Sequence, residues 1–222
     1  PPGSMLAVMA SCQQVETWIN RPEWRGNLSV AAANAPELSV VSGPTGEIKK
    51  FETALAAQGQ STRPLHTSHA FHSSMMDAIL EEFTATVAEV KLLPPRIPYI
   101  SNLTGTWLTD AQATDPTYYA KHLRHAVRFS DGIQEIAREI APTFLEVGPG
   151  QTLKSLVKLH PFEGRNPAVL HSLPGATEKQ SDSRVMLSTL GLLWCKGRGV
   201  NWKRLHSDSQ PRRIPLPTYP FE

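Results

Sequence analysis

Leu28-Ser29-Val30-Ala31-Ala32-Ala33-Asn34-Ala35-Pro36-Glu37-Leu38-Ser39-Val40-Val41 reads as two strands and the turn between them. Residues 28–33 and 38–41 are small or β-branched apolar runs, and Asn34-Ala35-Pro36-Glu37 is a turn by composition. Outward from this hairpin the pattern alternates. Residues 5–10 form an apolar strand and residues 13–19 a helix. On the other side Gly43-Pro44-Thr45-Gly46 is a breaker. Residues 47–58 then have helical spacing at Ile48, Phe51 and Leu55, and Gly59 ends that helix. Residues 61–66 return extended. The order is βαββαβ, the split-βαβ or ferredoxin-like arrangement, so the fold class is α/β.

Further along, Ser73 or Ser74 can cap a helix whose stripe is Met76, Ile79, Leu80, Phe83, Val87 and Val90, running to Lys91 before Pro94-Pro95. A strand follows at 97–101. Asp115-Pro116 opens a helix to about Arg124, and Ser130 caps another to about Ile140. Residues 143–147 read as a buried strand. Gly148-Pro149-Gly150 turns the chain into a helix over 151–159; a strand at 168–173 and a helix at 182–196 follow. Proline, basic and aromatic residues then dominate, so 198–222 reads as an extended linker.

Composition narrows the function classes. The chain has 222 residues, 40% hydrophobic and 19% charged, with a formal charge of +2. That charge is too small to argue for nucleic acid, and the aromatic pattern of a ferredoxin-like RNA binder is absent. Lys203, Arg204, Arg212 and Arg213 cluster as a solvated basic linker or as a surface for an acidic partner. Cys12 and Cys195 are the only cysteines and suggest neither a disulfide framework nor a metal site. A reduced, cytoplasmic setting fits. No apolar run reaches the ~20 residues that span a bilayer. The opening Pro1-Pro2-Gly3 has no initiator methionine, which leads us to expect a cleaved or excised fragment.

Thr67-Ser68-His69-Ala70-Phe71-His72-Ser73 is the stretch that carries chemistry. His72 ends an extended run just before a helix, where an imidazole can serve as general base or merely cap the helix. His69 and His66 precede it; His122 and His125 lie on a polar helix; His160, His171 and His206 lack supporting context. A base needs a nucleophile, and no G-x-S-x-G elbow occurs in the sequence. The nearest stretch, Gly59-Gln60-Ser61-Thr62-Arg63, ends in arginine. Gly148-Pro149-Gly150 lacks phosphate-loop spacing and reads as a tight turn, as do Asn34 and Asn102.

Six stretches occur in order: Pro2-Gly3-Ser4-Met5-Leu6-Ala7-Val8, Ala31-Ala32-Ala33-Asn34-Ala35-Pro36, His69-Ala70-Phe71-His72, Ser101-Asn102-Leu103-Thr104-Gly105, Phe144-Leu145-Glu146-Val147-Gly148-Pro149-Gly150 and Leu216-Pro217-Thr218-Tyr219-Pro220-Phe221. Together they resemble the acyltransferase domain of modular polyketide synthases, over essentially the whole chain. The resemblance implies a ferredoxin-like small subdomain at 1–70 inserted in an α/β-hydrolase-like core. Residues 71–197 would be the C-terminal part of that core, and 198–222 the post-acyltransferase linker.

The resemblance also implies an activity: malonyl moves from malonyl-CoA to the phosphopantetheine of an acyl carrier protein by way of an acyl-serine. His72 matches the family's catalytic histidine. Its serine, in a G-H-S-x-G motif, and its carboxylate-binding arginine would lie upstream of Pro1, so Arg63, Arg124 and Arg128 are not promoted to that role. The chain alone would then be inactive, with the serine-bearing segment, a ketosynthase and an acyl carrier protein as partners. No cofactor or metal is expected. His69 and Phe71 match positions that accompany malonyl over methylmalonyl selection; read without the family, Phe71 is a core aromatic. Arg128 matches the backbone that orients the catalytic imidazole, or is an exposed arginine at a helix start. The rival reading is a non-catalytic remnant that docks neighbouring synthase domains, against which the intact tetrad argues.

Overall fold

Strand β1 (Gly3–Val8) sits inside a four-stranded sheet of order β2-β3-β1-β4, with β2 at Ser29–Ala35, β3 at Leu38–Pro44 and β4 at Thr62–Leu65. Every neighbouring pair is antiparallel, and Leu6 lies opposite Val41 in β3 and Pro64 in β4. Helices α1 (Cys12–Ile19) and α2 (Thr45–Ala57) complete the βαββαβ order. The computed structural model describes residues 2–138, 142–164, 166–207, 212 and 214–218.

Alternation along the strands builds the core. Leu6, Val8 and Val41 turn to the helices and close over Val15, Ile19, Ile48, Phe51 and Leu55. Met5, Ala31, Ala32 and Val40 take the opposite face, with Leu65 and Val127 packed on them. Burying a side chain such as Phe51 contributes about 1.5–3 kcal/mol. Ser11 caps α1 in a reciprocal box with Gln14. The turn of the central hairpin is only Pro36-Glu37, shorter than composition indicates, because β2 runs on through Ala35 by way of two register shifts. Gly43 and Pro44 are likewise strand, and α2 starts at once at Thr45.

Beyond the sheet, three expectations change. Ser73 does cap the next element, but that element is a 3-10 helix (Ser74–Ile79) leading into α3 (Leu80–Ala88). Of the anticipated stripe only Met76 is buried; Ile79, Phe83 and Val90 are exposed. Residues 97–101 are not a strand, and one bridge joins Ile100 to Trp107. Pro98 explains this, since it has no N–H to give a ladder.

Short helix α4 (Asp110–Ala113) precedes α5 (Pro116–Arg124), which Asp115 caps. Helix α6 (Phe129–Ala137) starts one residue before Ser130, with Arg128 at its cap position; its anticipated end at Ile140 lies outside the described residues. Helix α7 spans Thr152–Lys158.

The chain divides into two compact units, Pro1–Phe144 with Thr152–Val169, and Leu145–Gln151 with Leu170–Glu222. Strands β5 (Thr143–Pro149) and β6 (Ala168–Leu173) pair as a two-stranded sheet. The buried strand anticipated at 143–147 is half-exposed, with Val147 81% accessible, because a two-stranded sheet leaves alternate side chains uncovered. Helix α8 (Asp182–Cys195), capped by Ser181, buries Val185 and Thr189. Within the expected linker a short helix α9 (Trp202–Leu205) forms, and Trp194 and Trp202 meet edge to face at 6.0 Å. Arg213, Tyr219, Pro220 and Phe221, parts of the basic cluster and of the last quoted stretch, lie outside the described residues.

Candidate active site

His72 is the one non-glycine residue with positive φ among the described residues, at 58°. An L-residue held there costs about 1–3 kcal/mol unless its surroundings over-determine it. They do so from one direction, the C-terminal end of α5. The backbone N–H of His72 donates to Leu123 O at 3.2 Å. Its ring Nδ1 lies 3.0 Å from His122 O and 2.9 Å from His125 O. Carbonyl oxygens only accept, so Nδ1 carries the proton and the neutral ring keeps its lone pair on Nε2. A helix C-terminus leaves its last four carbonyls without intrahelical partners. His72 takes up three carbonyls from that end.

The carbonyls themselves are pinned. Val127 donates to Ala31 O at 2.8 Å and accepts from Ala33 N at 2.9 Å, so the segment after α5 extends the edge of β2 as one more short rung. Arg128 N donates to Asn102 O at 2.7 Å. On the His72 side, Ala70 is buried against β1, where a Cβ at Gly3 would fall 2.4 Å from Ala70 N. Ser73, wholly buried, donates from Oγ to Ala70 O at 2.6 Å and accepts from Met75 N at 3.2 Å. Arg124 on α5 pairs with Asp77 of the 3-10 helix.

The rings of His72 and His122 are 5.8 Å apart, tilted by 54°. His122 Nε2 is buried and has no hydrogen-bond partner among the described residues. Burial, and secondarily the neighbouring His72, push the His122 pKa below its ordinary 6.5. A neutral His122 adds no charge beside the His72 ring.

The residues singled out from sequence are placed as follows. His69 is exposed, its Nδ1 2.8 Å from Ser68 Oγ and its ring 5.9 Å from Phe71. Phe71 is 40% accessible, so it is a surface aromatic beside His72 in the chain and not part of a core. Arg128 is exposed and pairs with Asp131, and its carbonyl accepts from Gly132 N; the carbonyls at His72 Nδ1 belong to His122 and His125. Those contacts carry no side-chain signature, and nothing in the residue pattern distinguishes them. The tight turn expected at Gly148-Pro149-Gly150 is instead the end of β5, which runs through Pro149; Gly148 N donates to Ser172 Oγ and Gly150 N to Pro174 O. His160 is buried, its Nδ1 3.0 Å from Leu156 O and its Nε2 3.0 Å from Ser130 Oγ. Burial lowers its pKa below 6.5, opposed by hydrogen bonds from the ring to the backbone of Leu156 and Val157. Cys12 is not a reactive thiol, because burial and then Glu16 push its pKa up to about 11. Among the described residues no three His, Cys, Asp or Glu side chains gather as metal ligands, and no helix is long and apolar enough to cross a membrane.

The chain as a whole is similar to known synthases and solved domains. The chain is 34% identical over 222 residues to the spectinabilin polyketide synthase system protein NorB of Streptomyces orinoci, covering 99% of this chain and 10% of that protein. It is 33% identical over 220 residues to the polyketide synthase GfsA of Streptomyces halstedii, covering 99% of this chain and 3% of that protein. Among solved structures, the acyl transferase domain of ZmaA superposes with a TM-score of 0.87 at 36% identity, over 98% of this chain and 50% of that one. The acyltransferase domain from the second module of the salinomycin polyketide synthase gives 0.83 at 33%, over 98% and 49%. The chain thus spans about half the length of these solved domains and a small part of the whole synthases. The family described as acyl transferase domain matches residues 1–187, and the chain belongs to it, as an acyltransferase domain segment of the modular polyketide synthase kind.

Proposed function

We propose that this segment supplies the general base of a malonyl-transferring polyketide synthase acyltransferase. The observation that supports it best is the tautomer: Nδ1 of His72 faces two carbonyls, which leaves Nε2 free to act. A serine on a companion segment would give its proton to His72 Nε2 as it attacks the thioester of malonyl-CoA. His72 would then protonate the departing thiolate, leaving malonyl on the serine. The phosphopantetheine thiol of an acyl carrier protein would attack next, with the same ring taking and returning the proton. Carbonyls at the end of α5 suit the transient positive charge on that ring, since a helix C-terminus favours cations.

Phe71 and His69 would form the wall that favours malonyl over methylmalonyl; their exposure beside His72 is compatible with lining a substrate channel completed by the rest of the domain. Residues 1–70 would act as the small subdomain, 71–197 as the C-terminal part of the core and 198–222 as the linker toward neighbouring domains such as a ketosynthase. The setting would be cytoplasmic, without nucleic acid, membrane or bound cofactor.

The decisive experiment is His72→Ala in the complete domain, followed by malonyl loading and transfer to carrier protein. Loss of about a hundredfold to ten-thousandfold in kcat is the expected result, the usual worth of a positioned acid–base group. Near-normal turnover in the variant would remove His72 from the mechanism, and a wild-type domain without turnover would leave the docking reading.

A further inference from the structure

A turn with a strained residue needs something to close it, and the turn that carries His72 is closed by a side chain. The four residues Ala70-Phe71-His72-Ser73 reverse the chain between β4 and the 3-10 helix. A turn of this kind ordinarily closes with a backbone N–H of the fourth residue on the carbonyl of the first. Here the hydroxyl of Ser73 makes that bond, to Ala70 O at 2.6 Å. The same oxygen accepts from Met75 N and starts the 3-10 helix. Ser73 is wholly buried, so no water competes for either bond, and Ala70 is itself held against Gly3 of β1. One hydroxyl therefore links the fixed end of the turn to the start of the next helix, with the left-handed His72 caught between them.

From this geometry we infer that Ser73 is a positioning residue for His72: its hydroxyl keeps the histidine backbone left-handed and so keeps Nδ1 on the carbonyls of His122 and His125. The physical argument is a competition. Left-handed backbone at a histidine carries a strain cost. A buried hydroxyl–carbonyl hydrogen bond and the capping bond beside it are of the same order. Without them the balance tips toward negative φ, which swings the ring away from the end of α5. The ring would then sample both tautomers, and Nε2 would lose its fixed direction. Ser73 touches no reacting atom and acts only through His72. The inference rests on the proposed role of His72 for its consequence in catalysis, but not for its structural content.

The test separates these. In the 15N-labelled 222-residue chain, the ring nitrogens of His72 report the tautomer, and the intraresidue amide–Hα NOE, strong only at positive φ, reports the backbone. Wild type should show a single Nδ1–H tautomer and a positive φ. Ser73→Ala should give averaged ring-nitrogen signals, while Ser74→Ala, on an exposed neighbour, should not. In the complete domain Ser73→Ala should lower kcat about tenfold to a hundredfold with KM within about twofold, as expected for a displaced but present base. Ser73→Thr, which keeps the hydroxyl, should restore more of both readouts than Ser73→Val of the same shape. A wild-type His72 with negative φ overturns the proposal without any variant. So does Ser73→Ala with an unchanged tautomer, or Thr and Val behaving alike. If the tautomer shifts but the domain's kcat does not, the positioning stands and the general-base reading of His72 falls.

Discussion

His72 Nδ1 lies 2.9 Å from the carbonyl oxygen of His125, across 53 residues of chain. The relation joins the end of one helix to a turn that precedes another. It decides which ring nitrogen of His72 is available, and it depends on elements that neither residue belongs to: the edge of β2, which holds Val127, and β1, which seats Ala70.

The seat on β1 is narrow. A methyl group at Gly3 would collide with Ala70 N at 2.4 Å and with Ala70 Cβ at 2.6 Å. Backbone atoms cannot swing aside as a flexible side chain can, so Gly3→Ala must displace the His72 turn or the strand. We expect a stability loss of about 1–3 kcal/mol, as for other overpacked sites. Urea unfolding gives the loss directly. An unchanged midpoint would mean that the turn is not anchored on β1.

Acid should destabilise the protein through two histidines, buried His160 and half-buried His122. His122 and His160 both have folded-state pKa values lowered from 6.5, chiefly by burial. The folded state then binds fewer protons than the unfolded one, so stability is full above pH 6.5 and falls as pH drops through 6.5 toward the lowered values. Thermal melts from pH 7.5 to 5 should show Tm decreasing below about 6.5. His160→Gln keeps polar contact with Ser130 and cannot titrate, so it should flatten that slope. An equally steep decline in the variant would place the acid sensitivity elsewhere.

Substrate choice is a separate matter from rate. If Phe71 limits room for the 2-methyl branch, replacing His69 with Tyr and Phe71 with Ser should move the malonyl-to-methylmalonyl ratio toward methylmalonyl. The change should be about tenfold or less, since one methyl in an apolar pocket is worth only ~1–3 kcal/mol. Competition between the two coenzyme A thioesters in complete domains measures it. A wild-type domain that prefers methylmalonyl would refute the malonyl assignment whatever the variant does.

The 222-residue chain by itself should not self-acylate. It has the proposed base His72 but no G-x-S-x-G serine within its sequence. Incubation with radiolabelled malonyl-CoA followed by denaturing electrophoresis should leave the protein unlabelled. A stable malonyl adduct would show that a nucleophile resides in this segment after all.

Local pattern carried much of the architecture. The apolar alternation at Leu6 and Val8, the helical spacing of Ile48, Phe51 and Leu55, and the punctuation by Gly59 are enough to order βαββαβ, and Asp115-Pro116 marks the start of α5 to the residue. Failures fell where one signal stood for two outcomes. Met76, Ile79, Leu80 and Phe83 have helical spacing, yet their first turns are 3-10 and mostly exposed. Ile97 and Ile100 look like strand residues, but Pro98 denies them a ladder. The apolar run at 143–147 says nothing of how many strands will cover it.

For the site, imidazole chemistry made all the histidines candidate bases near neutral pH, and the place of His72 before a helix together with the family resemblance of His69-Ala70-Phe71-His72 singled it out as the proposed base. Sequence could reach that far, since which groups can do acid–base chemistry and which segments form strands and helices are matters of local composition and period. It could not reach the positive φ of His72, the carbonyls of His122 and His125, or the hydroxyl of Ser73 closing the turn. Every residue contributes the same carbonyl, so only the folded path of the backbone decides which carbonyl meets the ring, and with it which nitrogen is left to take a proton.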